Sequence, residues 1–99
     1  LTAEAKLRTA RADVRTELQS TWDAFDTAAR ALQAVADTPA VIERDAGFIE
    51  QAVRAGAFDA LTRSVNLQRL ENVGRRVDTA VRDYRAARAA WIRRSLQQP

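Results

Sequence analysis

Apolar residues recur along the chain at steps of three and four, the spacing that lines one face of an α-helix. In the first third of the chain the apolar positions are separated by seven, four or three residues, and Trp22 lies beside them. These positions are Leu7, Val14, Leu18, Phe25, Ala28, Leu32 and Val35. This heptad pattern predicts a helix over roughly residues 2–36 that packs against one partner.

Pro39 interrupts this first pattern. A residue before a proline disfavours the helical region, whereas Pro39 itself suits the first position of a helix that Thr38 would cap. We therefore expect a kink or a short break near residues 37–39, followed by helix to residue 54. This second stretch runs into Ala55-Gly56-Ala57, where Gly56 is expected to take the left-handed conformation that ends many helices.

A third helix is predicted after Asp59, which can cap it. Its apolar positions alternate three and four without a slip; they are Leu70, Val73, Val77, Ala80, Tyr84, Ala87 and Trp91. Acidic residues also precede arginines by four positions, as suits neighbours on a helix surface. Such pairs are Glu4/Arg8, Asp26/Arg30, Glu50/Arg54, Asp59/Arg63, Glu71/Arg75 and Asp78/Arg82. The whole chain is therefore predicted to be all-α.

Two arrangements of these helices fit the sequence. A full break at Pro39 would allow a three-helix bundle, whereas a kink would give a long, coiled-coil-like antiparallel hairpin. We favour the hairpin, because roughly 50 residues lie on each side of Gly56 and both sides keep heptads. It would be one domain with a first arm over 2–54, a tip over 55–58 and a second arm over 59–96. The hairpin seam, the apolar positions that join the arms, would comprise Leu18, Phe25, Leu32, Leu70, Val73, Val77, Tyr84 and Trp91.

The composition leaves little for catalysis. The 99 residues include 21 alanines but no cysteine and no histidine, which excludes disulfides, a thiol nucleophile, Cys/His zinc sites and imidazole chemistry. Asp23 and Asp26 share a helical face, but two acids without further ligands make an incomplete cation site. We therefore predict a protein that is not an enzyme and that uses neither a cofactor nor a metal.

The basic residues raise a second class of function. Residues 75–94 hold seven arginines against two aspartates, Asp78 and Asp83, which would suit nucleic acid or an anionic surface. Fifteen of the sixteen basic residues are Arg, and the aromatic residues among them, Tyr84 and Trp91, are assigned to the hairpin seam rather than to a base-stacking surface. We therefore interpret the arginines as a solvated face and nucleic-acid binding as unlikely. A soluble helical interaction module, associated with nucleic acid through this Arg-rich helix, remains the alternative function.

Residues 50–56 (EQAVRAG) form a run that ends in glycine, residues 66–70 read NLQRL, and residues 81–90 (VRDYRAARAA) place a tyrosine on an alanine-rich helix. These segments resemble the second periplasmic helical hairpin of the TolC-type outer-membrane efflux proteins, in which an alanine-rich run ends in Tyr-x-x-Gly. Residues 66–70 are similar to that family's Asp-Ala-Gln-Arg stretch, and residues 81–90 to its closing helix with a tyrosine. Residues 14–25 resemble the helix that enters the hairpin, and Pro39 the mid-helix proline of heavy-metal members. The sequence departs from the family at four positions. Val53 replaces the usual tyrosine, and Asp59 lies where Ser or Thr is common. Thr62 and Val65 occupy positions where the family often has acidic residues that narrow the pore.

The resemblance implies a function in export. It implies a trimeric channel in the outer membrane, with this segment in the periplasm as part of the tube wall. The tip would dock onto a periplasmic adaptor, which connects the channel to an inner-membrane pump. The residues expected to dock are Arg54, Ala55, Gly56, Ala57, Phe58, Asp59 and Arg63. We also expect the chain to be a segment of a longer protein, and as an isolated fragment it could form a dimer.

Overall fold

The computed structural model describes residues 2–97 and contains three α-helices. Helix α1 covers Ala3–Ala34, α2 covers Thr38–Arg54 and α3 covers Ala60–Leu96. Residues 2–97 include no β-strand. The chain divides into two compact units, and α3 contributes to both of them.

The first unit, over residues 2–30 and 83–97, pairs α1 with the last part of α3. Glu17 contacts Arg94, Trp22 contacts Trp91, and further along α1 Phe25 contacts Tyr84. The residue numbers of the contacts on α3 decrease as those on α1 increase, so the two segments are antiparallel.

The second unit, residues 31–82, pairs α2 with the first part of α3. Glu50 contacts Arg63 near the turn, and Ile42 lies against Gly74 further from it. These segments are antiparallel too, and residues 55–59 connect them. Each unit thus contains one pair of packed segments, and the fold is the predicted all-α helical hairpin rather than a three-helix bundle.

The first arm of the hairpin is interrupted before Pro39. Residues 35–37 form a turn in which Val35 N–H donates to the Leu32 carbonyl and Ala36 N–H to the Gln33 carbonyl. Helix α2 then begins at Thr38, so the expectation that Thr38 caps it is wrong by one position. Asp37 occupies the cap position, and its side chain makes no capping hydrogen bond. The turn joins α2 directly because Thr38 N–H still donates to the Val35 carbonyl.

The core of the hairpin is thin. Ile49, which is 8% exposed, is the one buried hydrophobic residue in the part of the chain described. The other apolar residues between the helices are half-buried, as expected when two helices pack without a third layer. Most of the stabilisation from apolar burial therefore comes from partly covered side chains, and each helix keeps a broad exposed surface.

Candidate functional site

The tip is a tightly hydrogen-bonded helix end. After α2, Gly56 adopts a φ of 77°, the left-handed conformation predicted for it. Gly56 N–H donates to the Val53 carbonyl at 3.1 Å, and Ala57 N–H donates to the Ala52 carbonyl at 2.9 Å. These two bonds make a Schellman motif, which pairs carbonyls that a helix C-terminus otherwise leaves open. The backbone of the tip is therefore fixed without help from large side chains.

Asp59 fixes the other side of the turn. Its Oδ1 accepts a hydrogen bond of 2.7 Å from the backbone N–H of Thr62, so it is the predicted cap of α3. Hydrogen bonds from the backbone and the side chain of Thr62 lower the pKa of the Asp59 carboxyl below its ordinary value, since they favour the ionised form. The start of α3 is thus stabilised by a charged cap.

An ion pair spans the hairpin just above the tip. Arg63 Nε donates to Glu50 Oε1 at 2.9 Å, and both side chains are a little over two-fifths exposed. The i,i+4 spacing had suggested that Glu50 pairs with Arg54 and Asp59 with Arg63. Glu50 instead contacts Arg63 on the other helix, and Asp59 is engaged as a cap. Asp26 with Arg30 and Glu71 with Arg75 do form the predicted pairs.

The predicted docking residues lie together at the end of the second unit. Phe58 is half-buried, whereas the remaining members are exposed; these are Arg54, Ala55, Gly56, Ala57, Asp59 and Arg63. Glu50 was not among the predicted docking residues, because its contact with Arg63 depends on the register between the helices. The tip thus presents a small-residue turn flanked by charged side chains.

An open groove of about 480 Å³ lies on one face of the second unit, beside the tip. The α2 residues that line it are Asp45, Phe48, Ile49 and Ala52, and the α3 side supplies Phe58, Asn66, Arg69 and Leu70. Phe48 is 58% exposed although it borders the buried Ile49. Phe48 was not among the predicted docking or seam residues, although its place beside Ile49 in a predicted helix was an available signal.

The predicted hairpin seam is divided between the two units. Leu32, Leu70, Val73 and Val77 are half-buried in the second unit, and Leu18, Phe25, Tyr84 and Trp91 are half-buried in the first. In the first unit the aromatic residues form a cluster, in which Trp22 lies 4.9 Å from Trp91 and Phe25 5.6 Å from Tyr84, between ring centroids. The seam residues of each unit therefore lie at its helix interface.

The apolar pattern of α1 has no partner at its beginning. Leu7 is 52% exposed and Val14 is 40% exposed, although both continue the heptad. Glu17 lies opposite Arg94, and α3 ends at Leu96. The earlier turns of α1 consequently have no helix opposite them within the first unit, which is why the heptad alone did not predict their exposure.

The arginines of α3 are exposed, but aromatic rings do not accompany them. Arg75 pairs with Glu71 at 3.0 Å, and Arg94 pairs with Glu17 at 2.7 Å. Trp91 and Tyr84, the aromatic residues in this part of α3, contact Trp22 and Phe25 of α1 instead. A stacking surface for unpaired bases is therefore not formed by this face of α3.

The acidic residues form local pairs. Asp23 accepts a hydrogen bond from the Gln19 amide at 2.9 Å, and Asp26 pairs with Arg30 at 3.2 Å. Over residues 2–97, no group of three or more His, Cys, Asp or Glu side chains is arranged to hold a metal ion.

Within the described range, no helix combines the length and the hydropathy needed to span a membrane.

Comparison of the chain with protein-family models, with curated proteins and with solved structures gave no match.

Proposed function

We propose that the chain is a periplasmic helical hairpin of a TolC-like outer-membrane efflux channel. In this role it forms part of the tube wall and docks by its tip onto a periplasmic adaptor, which links a trimeric channel to an inner-membrane pump. The hairpin acts through its shape and its helix contacts rather than through catalysis. The observation that carries the proposal is the tip itself, an exposed turn of small residues that is fixed by hydrogen bonds on both sides.

The tip suits contact with another helical protein. Ala55, Gly56 and Ala57 present little side-chain bulk, so a partner backbone can approach closely. The Schellman motif and the Asp59 cap hold the turn in one conformation before any partner binds. Binding then costs little conformational entropy, which favours a docking role. Arg54 and Arg63 supply charge at the edge of the contact.

The amount of exposed surface supports a role inside an assembly. Apolar side chains contribute to this surface in both units, including Leu61 at 73% and Ile92 at 41% exposure. A wall of neighbouring hairpins would cover such residues, as it does in a tube built from helices.

Photo-crosslinking in cells tests the proposal directly. A benzoylphenylalanine introduced at Ala57 of the full-length protein should form an adduct with a periplasmic adaptor on irradiation. The same group at Ala40, an exposed alanine near the start of α2, should not, because it lies at the opposite end of that helix from the tip. Fractionation should recover the protein with the outer membrane.

A cytoplasmic location would overturn the proposal and favour the nucleic-acid alternative. In that case, binding of the chain to duplex DNA should weaken steeply between about 50 and 200 mM salt, as counterion release requires. Replacing Arg85 and Arg88 with Gln should reduce the salt dependence, whereas replacing Arg54 and Arg63 should not. A chain that binds DNA in this way and yields no adaptor adduct would be assigned to the alternative function.

A further inference from the structure

The groove of the second unit is an apolar surface with a floor and a protruding ring. Ile49 forms part of its floor at 8% exposure, while Phe48 stands at its edge with 58% of its surface open to solvent. A phenylalanine next to the one buried residue of the described chain would lose much of that exposure if a partner covered the groove. Removing apolar area from water is the main source of free energy for such an association.

The charges at the groove are arranged across it. Glu50 lies opposite Arg63 and Ile42 opposite Gly74, so Asp45 on α2 is level with Arg69 on α3. Both residues line the groove, one on each wall. Among the residues described, Asp45 forms its one ion pair with the neighbouring Arg44 at 3.5 Å, and Arg69 makes none. The groove therefore has an acidic wall and a basic wall.

We propose that a second copy of this chain covers the groove, so that two hairpins face each other as a four-helix bundle with both tips at the same end. A two-fold axis parallel to the helices sets α2 of each copy against α3 of the other. Because this operation keeps every residue at its level, Asp45 of each copy faces Arg69 of the other. Phe48 of each copy then packs against the apolar floor of the opposing groove.

The charge arrangement selects this orientation over the reverse one. A two-fold axis perpendicular to the helices would set α2 against α2, and α2 contributes no basic residue to the groove. Asp45 would then face a wall without a complementary charge. The parallel arrangement forms two equivalent ion pairs at the edge of an apolar contact, the usual layout of a self-complementary interface.

A second copy is the occupant that the surface itself specifies. One acidic wall and one basic wall at the same level are complementary to their own two-fold copy. The inference does not rest on the proposed function, because it concerns a face of α2 and α3 and leaves Gly56 and Ala57 uncovered.

Sedimentation equilibrium of the full chain tests the proposal. We expect a dimer at about 100 µM and low salt. The variants D45R and R69D should each raise the dimer Kd at least about tenfold, because each places like charges opposite one another. An equimolar mixture of the two variants should dimerise again. In a dimer with one copy of each variant, the arginines at positions 45 and 69 of D45R face the aspartates at positions 69 and 45 of R69D. Phe48→Ala should weaken all of these dimers.

Charge changes elsewhere serve as the matched control. D78R and R76D alter exposed residues of α3 that do not line the groove, so neither should change the Kd by more than about threefold. Circular dichroism should show the same helicity for every variant.

Four outcomes would overturn the proposal: a monomer at about 100 µM, a trimer, a dimer insensitive to D45R and R69D, or failure of their mixture to dimerise. A trimer would nevertheless be compatible with the channel. An adaptor adduct in cells, by contrast, tests the channel and does not depend on this dimer.

Discussion

Arg63 and Glu50 join the two sides of the hairpin turn through a 2.9 Å hydrogen bond from the guanidinium Nε to the carboxylate Oε1. The pair lies thirteen residues apart in the sequence, between the last turns of α2 and the first turn of α3. It sets these segments in register immediately above the tip. Since both side chains are more than two-fifths exposed, solvent screens the attraction.

A double-mutant cycle should therefore give a small coupling energy. Replacing Glu50 with Gln and Arg63 with Gln, singly and together, should yield about 0.5 kcal/mol for the pair in urea denaturation. The pair of Glu71 and Arg75, which is more exposed and lies within one helix, is the control and should give no more. A coupling energy above about 2 kcal/mol would show that the pair is shielded from water, contrary to its exposure.

Gly56 should tolerate only residues that accept a left-handed backbone. Apart from Gly56 itself and its two chain neighbours, no atom lies within 4 Å of a Cβ placed on it, so the cost of substitution arises from its φ of 77°. Gly56→Ala should destabilise the chain by about 1–2 kcal/mol in thermal unfolding, and Gly56→Asn should cost less. Equal losses for the two variants would indicate that the side chain, rather than the backbone, is responsible.

Gly47 and Gly74 should behave in the opposite way. Both lie in helices, where glycine is less favourable than alanine, and neither has a positive φ. A Cβ at Gly47 would meet nothing within 4 Å, and at Gly74 it would make an ordinary contact of 3.9 Å with Ile42 Cδ1.

Each alanine variant should accordingly be stabilised by about 1 kcal/mol, which corresponds to a Tm increase of about 4–8 °C at fixed protein concentration. Gly74→Leu is the contrasting variant, because its side chain must displace Ile42. A lower Tm for Gly74→Ala would mean that the helices approach more closely there than the structure shows.

Local sequence was sufficient to predict the helix ends at the tip. The left-handed Gly56 and the Asp59 cap depend on residues within one turn of each other, and both predictions are confirmed. The all-α hairpin followed from heptads on both sides of Gly56. These features were predictable because the atoms that interact are close in the sequence.

Contacts between helices were less predictable. The pairing of Glu50 with Arg63, rather than with Arg54, depends on the register of two segments, which i,i+4 spacing does not specify. Leu7 and Val14 continue the heptad but are exposed, because no part of α3 lies opposite them in the first unit. The groove around Phe48 likewise arises where residues from two helices meet. Docking and export remain proposals for the same reason, since they depend on partners outside the chain.

The aromatic cluster should contribute most of the stability of the first unit. Trp91 is half-buried and packs edge-on against Trp22, at an interplanar angle of 63°. Trp91→Ala should therefore cost about 2 kcal/mol, from lost apolar burial and the lost aromatic contact. The adjacent Ile92 is 41% exposed, and Ile92→Ala should cost about half as much or less. Urea denaturation followed by circular dichroism measures both; equal losses would contradict a specific role for the aromatic cluster.

The Asp59 cap should make the stability of the chain depend on pH in the acid range. The carboxyl has a folded-state pKa below its ordinary value of 3.8, so its ionisation stabilises the folded state fully above that value. This contribution is lost as the pH falls through the lower pKa of the folded chain. D59N is the matched variant, because asparagine also caps helices but does not titrate. The Tm difference between the parent chain and D59N should thus be constant from neutral pH down to about 5. At lower pH the Tm of the parent chain should fall relative to that of D59N, because the Asp59 carboxylate is protonated. Titration of the other carboxyls affects both proteins and therefore cancels in the Tm difference. A Tm difference that stays constant down to pH 2 would show that the charge of Asp59 does not stabilise α3.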